Sequence, residues 1–153
     1  MSDTVKSTQP AGAADAQAVP YTVEDILTPL ALTIIIDNKV RDPELSEYIT
    51  QGEGLLELLF AGEPMPPQDI LAWFRDNEMI LIAKMKSMRK NTFVLKSLNR
   101  FKNDEMAIEA MYDAMLAISV SDKEYHVEES ELIRSAASLW GYARPPFKVI
   151  KRD

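Results

Sequence analysis

Four acidic residues occupy matching positions in two segments of the chain, and their carboxylates are the groups most suited to chemistry. Each segment is an apolar run that ends in Asp, followed by a polar turn and by a Glu seven positions after the Asp. The four residues are Asp37, Glu44, Asp122 and Glu129. Carboxylates within about 4 to 6 Å of one another raise each other's pKa unless a cation intervenes. If the segments pack about a pseudo-two-fold axis, the set predicts a site for a divalent cation such as Ca²⁺, which takes about 6 to 8 oxygen ligands.

The same four residues also have an interpretation without a ligand. Asp at the start of a turn accepts hydrogen bonds from nearby backbone N–H groups, and Glu in a first helical turn faces the positive end of the helix dipole. Each such role stabilises the fold by about 0.5 to 2 kcal/mol. The turns also lack the alternating Asp and Asn ligands of an EF-hand. The sequence leaves both interpretations open, and the one without a ligand needs fewer assumptions.

The sequence gives little support for catalysis or for thiolate chemistry. The chain has no cysteine and a single histidine, His126, so thiolate zinc sites and two-histidine motifs are excluded. We interpret His126 as a turn residue or a helix cap rather than as a ligand or a catalytic base. Paired carboxylates could act as acid and base, but no motif marks a substrate pocket. We therefore expect a protein that is not an enzyme.

A basic segment lies between Glu78 and Asp104, with no acidic residue inside it. Its candidate partner-binding residues are Lys84, Lys86, Arg89, Lys90, Lys96 and Arg100. In a chain with a net charge of −7, this segregation predicts a docking face for an acidic protein partner. The net charge opposes binding to nucleic acid, and no nucleic-acid motif accompanies the segment. The alternative is a solvated face whose cations pair with acids of other helices.

A series of methionines follows the same region at helical spacing. Its members are Met79, Met85, Met88, Met106, Met111 and Met115. If exposed, they could form an adaptable groove for a partner helix, whereas buried methionines fill a core. Helical spacing favours the core interpretation.

The elements that must position these residues are predicted to be helices of one domain. The 153 residues, 46% of them hydrophobic, suffice for a core without disulfides or metals. We expect a disordered tail over residues 1–21, a helical domain over 22–142 and an extended tail over 143–153. The longest apolar run, Pro29–Ile36, is too short to span a bilayer, and no signal peptide precedes it. These features predict a cytoplasmic protein.

Capping residues predict where the first helices begin. Thr22 is suited to an N-cap, and Thr28-Pro29 predicts a second start after a short turn. The apolar run that follows fits a buried helix or a buried strand. Asp42-Pro43 predicts a further helix that reaches about Phe60, with a kink or an early end at its glycines.

The remaining signals predict helices up to residue 141. A helical pattern runs from Gln68 to about Phe101, with breaks expected near Asp76-Asn77 and Asn91-Thr92. Asn103 or Asp104 caps the next helix, which should reach Ser121. The last helix runs from about Val127 to Trp140 and ends at Gly141.

The two acidic segments are related in sequence. LALTIIIDNKVRDPE, over Leu30–Glu44, aligns with MLAISVSDKEYHVEE, over Met115–Glu129, when Asp37 is set over Asp122. The pattern resembles the TerB-like family of helical tellurite-resistance proteins, whose fold also begins the DjlA-type membrane co-chaperones. In that family an alanine-rich helix is followed by Asp-Gly, a β-branched residue, a few polar residues and Glu. The match is best in AISVSDKEYHVEESELIRSAASLWGY, and the resemblance covers roughly residues 23–142.

The resemblance implies an all-α fold of about five to seven helices in two pseudo-repeated halves. It also implies a non-enzymatic stress-response protein of the tellurite and metal resistance type, which supports the cation hypothesis for the four acids. The alternative is a helical interaction module or co-chaperone-like adaptor that needs no metal. Asn38 and Lys123 stand where the family has glycine. Because Lys adopts a left-handed backbone only at some cost, we expect the second turn to differ in geometry.

Overall fold

All secondary-structure elements of the described residues are helices. The computed structural model describes residues 19–124 and 126–142, in which the chain forms six α-helices and no strand. The helices are α1 Val23–Ile35, α2 Asp42–Leu59, α3 Pro67–Met85, α4 Lys90–Asn99, α5 Glu105–Ser119 and α6 Val127–Trp140. The predicted all-α fold class is confirmed. The two predicted tails fall mostly outside the described residues.

Helix α1 is the central element and packs against each of the other five helices. Thr22 caps it with a reciprocal pair of hydrogen bonds to Asp25, as the N-cap signal predicts. Every residue from Ile26 to Ile35 is buried. The expected turn at Thr28-Pro29 is wrong, because α1 continues through Pro29. Burial on all sides stabilises the helix there and offsets the backbone hydrogen bond that proline cannot donate.

Helix α2 follows a short turn and continues through both of its glycines. The expected kink is therefore absent from this described helix. Gly52 is buried where α2 crosses α1 and α3, and an added Cβ would lie 3.2 Å from side-chain atoms of both Ile70 and Leu27. Gly54 faces open space. The first glycine thus permits close helix packing.

The basic segment spans the end of α3, the following turn and α4. The break expected near Asp76-Asn77 is wrong, since α3 continues to Met85 and the Asn77 side chain donates to the Trp73 carbonyl at 2.8 Å. The interruption falls instead before Lys90. There Ser87 donates to the Lys84 carbonyl and so ends the helix locally.

Helices α5 and α6 close the domain. Asp104 caps α5 by accepting from the Ala107 N–H, and Gly141 ends α6 with a φ of 66°, both as the sequence predicts. The indole of Trp140 donates to the Leu98 carbonyl at 2.7 Å and fixes α6 on α4. Helix α5 packs against α1, α2 and α6, so the two related helix pairs form one core. Among the helices described, none is long and apolar enough to cross a membrane.

Candidate metal centre

The turn between α1 and α2 has the same backbone geometry as the turn between α5 and α6. Asn38 and Lys123 both lie in the left-handed region, with φ of 68° and 70°. Their N–H groups donate to the carbonyls of Ile35 and Val120, at 2.9 and 3.0 Å. The expected difference between the turns is therefore wrong. Lys123 accepts the strained conformation because the rest of the turn requires it.

The two aspartates each use one oxygen to organise their turn. Asp37 Oδ1 accepts from the Lys39 N–H at 3.2 Å, and Asp122 Oδ1 accepts from the Glu124 N–H at 3.0 Å. This is the structural role that the interpretation without a ligand assigns to them. The second oxygen of each carboxylate, Oδ2, makes contacts with the residue four positions later. Each aspartate thus serves both its turn and a cluster between the turns.

The residue four positions after each Asp is Arg41 in the first turn and His126 in the second. Each is the N-cap residue of the next helix. Arg41 Nη1 lies 2.5 Å from Asp37 Oδ2 and 3.7 Å from Glu44 Oε1. Arg41 Nε also lies 3.4 Å from Asp122 Oδ2, so its guanidinium joins the two turns. His126 Nε2 lies 3.2 Å from Asp122 Oδ2.

These contacts have electrostatic consequences for the charged groups of the cluster. The hydrogen bond to Asp37 raises the pKa of Arg41. The pKa of Asp122 is lowered: burial acts to raise it, but hydrogen bonds from the Glu124 backbone N–H and the His126 side chain, together with the charges of His126 and Arg41, outweigh the burial. Asp122 is therefore held as a carboxylate.

Glu44 and Glu129 lie in the first turns of α2 and α6 and are both completely buried. No hydrogen-bond donor in the described chain reaches any of their four carboxyl oxygens. Burial raises the pKa of both groups, and the adjacent Glu44 raises that of Glu129 further, to about 10. Two facing carboxyl groups satisfy one another when they share a proton, which makes one of them the donor. The raised pKa of Glu129 therefore favours its protonated form at neutral pH.

The four acids meet across the turns in two overlapping sets. Ligand atoms of Asp37, Glu129 and His126 lie within 4.8 Å of one another, and so do those of Asp122, Glu44 and His126. Each set takes its Asp from one turn and its Glu from the other. Ligand atoms at about 2.0 to 2.2 Å from one tetrahedral ion lie about 3.3 to 3.6 Å apart, so either set would have to contract around an ion. His126 belongs to both sets.

The sequence identified the acids of this cluster but missed its nitrogen-bearing residues. Arg41 was not recognised, and His126 was interpreted as a turn residue or cap only. The signal that could have found them is their shared position, four residues after each Asp. Because the two side chains differ in type, that correspondence is visible only when the segments are aligned.

The basic segment is partly engaged within the domain. Among residues 19–124 and 126–142, Arg100 alone of the six candidates forms an ion pair, with Asp25 at 3.1 Å. Its guanidinium also stacks 4.4 Å from the Tyr21 ring centre and donates to the Val19 and Pro20 carbonyls. Arg100 therefore holds the start of α1 in place. Its ion pair agrees with the alternative in which the basic residues pair with acids of other helices.

The other basic residues are placed at the surface. Lys84 lies over the Phe93 ring, 5.0 Å from its centre, and lines a cleft of about 390 Å³ with Lys96. Lys86 and Arg89 are exposed in and beside the turn that joins α3 to α4, and Lys90 is half-buried. Arg100 lines the same cleft, so the structure brings three of the six candidates together there.

The methionines divide between core and surface. Met85, Met111 and Met115 are buried, as the core interpretation predicts. The exposed members are Met79, Met88 and Met106, at 77%, 103% and 56%. Helical spacing alone could not separate the two groups because neighbouring helices cover only part of each face.

Comparison with known proteins adds no relative. No protein family, curated protein or solved structure matches this chain. The resemblance to TerB-like proteins therefore stays a prediction from the sequence. Function must therefore be argued from the cluster itself.

Proposed function

We propose that this protein is a non-enzymatic, TerB-like stress-response protein that binds one divalent cation between its two turns. The ligands are Asp37, Glu44, Asp122 and Glu129, with His126 as a nitrogen ligand. One observation carries the proposal: Glu44 and Glu129 are fully buried, their four carboxyl oxygens have no hydrogen-bond partner among the described residues, and each contributes a ligand atom to one of the two sets. Buried carboxylates are costly unless they are paired or coordinate a metal.

The charge of the cluster suits a divalent ion. With one proton shared by the glutamates, the four carboxyl groups carry three negative charges, and Arg41 supplies one positive charge. Without counting His126, the cluster is left with two negative charges. A divalent cation would offset negative charge of the carboxylates in a site where water screens charge weakly.

The ligand types favour a transition metal over Ca²⁺. Zn²⁺ and Mn²⁺ are bound by carboxylate and imidazole together, whereas Ca²⁺ takes oxygen ligands at longer distances. His126 belongs to both ligand sets. When bound, the ion supplies a positive charge that cross-links the α1–α2 turn to the α5–α6 turn.

Thermal unfolding of the chelator-treated protein with Ca²⁺, Mg²⁺, Mn²⁺ or Zn²⁺ tests this proposal. A ligand at one hundred times its Kd adds about 2.7 kcal/mol to the free energy of unfolding, which raises Tm by several degrees. The site variant is Asp37→Asn with Asp122→Asn, because Asn retains an oxygen for the turn and loses the charge. We expect the rise with Zn²⁺ or Mn²⁺ in the original protein and its loss in this variant.

A matched control removes the same charge beside the cluster. Asp42 and Glu128 are exposed residues in the first turns of α2 and α6. The Asp42→Asn and Glu128→Gln double variant should keep the full rise in Tm. If no ion raises Tm of the original protein, or if this control loses the rise as completely as the site variant, the proposal is wrong.

Proton release gives a second measurement. Coordination by both glutamates must displace their shared proton, so calorimetry in two buffers of different ionisation enthalpy should detect about one proton released per ion. An ion bound by exposed carboxylates elsewhere would release none.

The second candidate function is a helical interaction module that needs no metal. It is supported by the exposure of Met88 between the basic residues Lys86 and Arg89. Under this alternative, Lys86→Glu with Arg89→Glu should abolish binding to an acidic partner protein. The same charge change at Lys39 and Lys123, which lie on the two acidic turns, should leave that binding intact.

A further inference from the structure

Arg41 already provides a cation to the cluster. Its guanidinium contacts Asp37, Glu44 and Asp122, which are three of the four acidic ligands proposed above. The contacts to the aspartates use Oδ2, the oxygen that the turn hydrogen bonds leave free. A metal ion and the Arg41 guanidinium would therefore need the same acceptor oxygens.

The side chain of Arg41 has a path out of the cluster. It is 22% exposed, and its residue is the N-cap of α2 with an extended backbone, φ −107° and ψ 141°. The side chain makes no capping hydrogen bond to α2. Its rotation into solvent would therefore leave the start of the helix intact. The carboxylates that it leaves would be unpaired unless another cation replaced it.

The equivalent position in the second turn supports the same assignment. His126 contacts Asp122 as Arg41 contacts Asp37, but an imidazole can bind a metal whereas a guanidinium cannot. One turn thus contributes a ligand where the other contributes a fixed positive charge. This difference gives the two turns opposite effects on cation affinity.

We propose that Arg41 is a built-in competitor for the cation site, so that a metal ion binds only when the Arg41 guanidinium leaves the cluster. Arg41 then sets the metal affinity and keeps the cluster neutralised in part when metal is scarce. This inference rests on the proposed function, since it concerns the same site. It assigns to Arg41 the role of an affinity-determining residue, not that of a ligand.

The affinity for Zn²⁺ and Mn²⁺ tests the inference, by competition with a chromophoric chelator. Arg41→Gln removes the competitor, and Lys39→Gln removes the same charge from an exposed residue of the same turn. We expect Arg41→Gln to lower Kd at least tenfold and Lys39→Gln to change it by less than about twofold. Equal effects of the two substitutions, or weaker binding by Arg41→Gln, would overturn the inference.

The two proposals fail in different ways. If neither the original protein nor Arg41→Gln binds either ion, the proposed metal function is wrong and the inference falls with it. If the original protein binds and Arg41→Gln binds no more tightly, only the inference is wrong. Binding by Arg41→Gln alone would support the inference and contradict the proposed metal function of the original protein.

A measurement on the unsubstituted protein avoids any dependence on how the variant folds. The Nε of Arg41 lies 3.4 Å from Asp122 Oδ2, and its N–H should give a slowly exchanging signal in nitrogen-15 NMR spectra of the metal-free protein. Titration with Zn²⁺ should move this signal to the position and the fast exchange of an exposed arginine. An Arg41 signal that stays protected while the ion binds would show that the guanidinium remains in place, against the inference.

Discussion

Replacement of Glu129 by Gln should stabilise the metal-free protein at neutral pH. The substitution keeps the size of the protonated carboxyl group and removes its ability to ionise. Glu129 is fully buried beside Glu44, and burial together with that neighbour raises its pKa well above the ordinary value of 4.5. The folded protein must therefore keep this carboxyl protonated, whereas the unfolded chain releases the proton above pH 4.5.

The sign and size of the effect follow from proton linkage. Because the folded state binds one proton more than the unfolded state between pH 4.5 and the raised pKa of about 10, stability falls as pH rises through this window. The slope is about 1.4 kcal/mol per pH unit. From pH 4.5 to pH 7 this single group costs about 3 kcal/mol, a value that holds for any folded pKa well above 7. Glu129→Gln should recover most of it.

Urea unfolding of chelator-treated protein at pH 5, 6, 7 and 8 measures the effect. The stability of Glu129→Gln relative to the original protein should be about 0.8 kcal/mol at pH 5 and should grow by about 1.4 kcal/mol with each further pH unit. Glu128→Gln is the control, because Glu128 is exposed in the same helical turn. It should stay within about 0.5 kcal/mol of the original protein at every pH. A Glu129→Gln protein that is less stable at pH 8, or a difference that does not vary with pH, would refute the reasoning.

Four further substitutions test local features by urea unfolding at pH 7. Gly54→Ala should stabilise the protein by about 0.5 to 1 kcal/mol because the added Cβ meets open space. Gly52→Ala should be less stable than Gly54→Ala because its Cβ presses on α1 and α3. Equal stabilities of the two variants would contradict this packing. Lys123→Gly should stabilise the protein by about 1 kcal/mol, because glycine adopts the left-handed backbone without strain. A loss of stability would show that the contacts of the lysine side chain outweigh the backbone strain. Trp140→Phe should destabilise by about 1 to 3 kcal/mol because the buried Leu98 carbonyl loses its donor, and an unchanged midpoint would argue against that hydrogen bond.

Helix ends were predictable wherever one residue, by its side chain or its backbone conformation, satisfies the end of the helix. Thr22, Asp104 and Gly141 each cap a helix where the sequence places the cap. Breaks inside helices were not predictable in the same way. The helix through Pro29 and the uninterrupted α3 depend on burial by neighbouring helices, which outweighs a local preference of about 1 to 3 kcal/mol.

The acids of the candidate site were predictable because they recur at equal spacing in two related segments. Their arrangement was not. The sequence pairs each Asp with the Glu that follows it, whereas the structure groups Asp37 with Glu129 and Asp122 with Glu44. This exchange of partners depends on how the two helix pairs pack, which is a contact between distant parts of the chain.

The sequence by itself determined that the chain is helical, that it contains two related units and that each unit carries an Asp and a Glu at fixed spacing. These properties are local, since they depend on side-chain period, capping and turn chemistry within a few residues. Only the tertiary structure decided that Glu44 and Glu129 are buried together and that Arg41 lies among the aspartates. Burial and charge pairing depend on which distant groups exclude water from one another, and no local spacing specifies that.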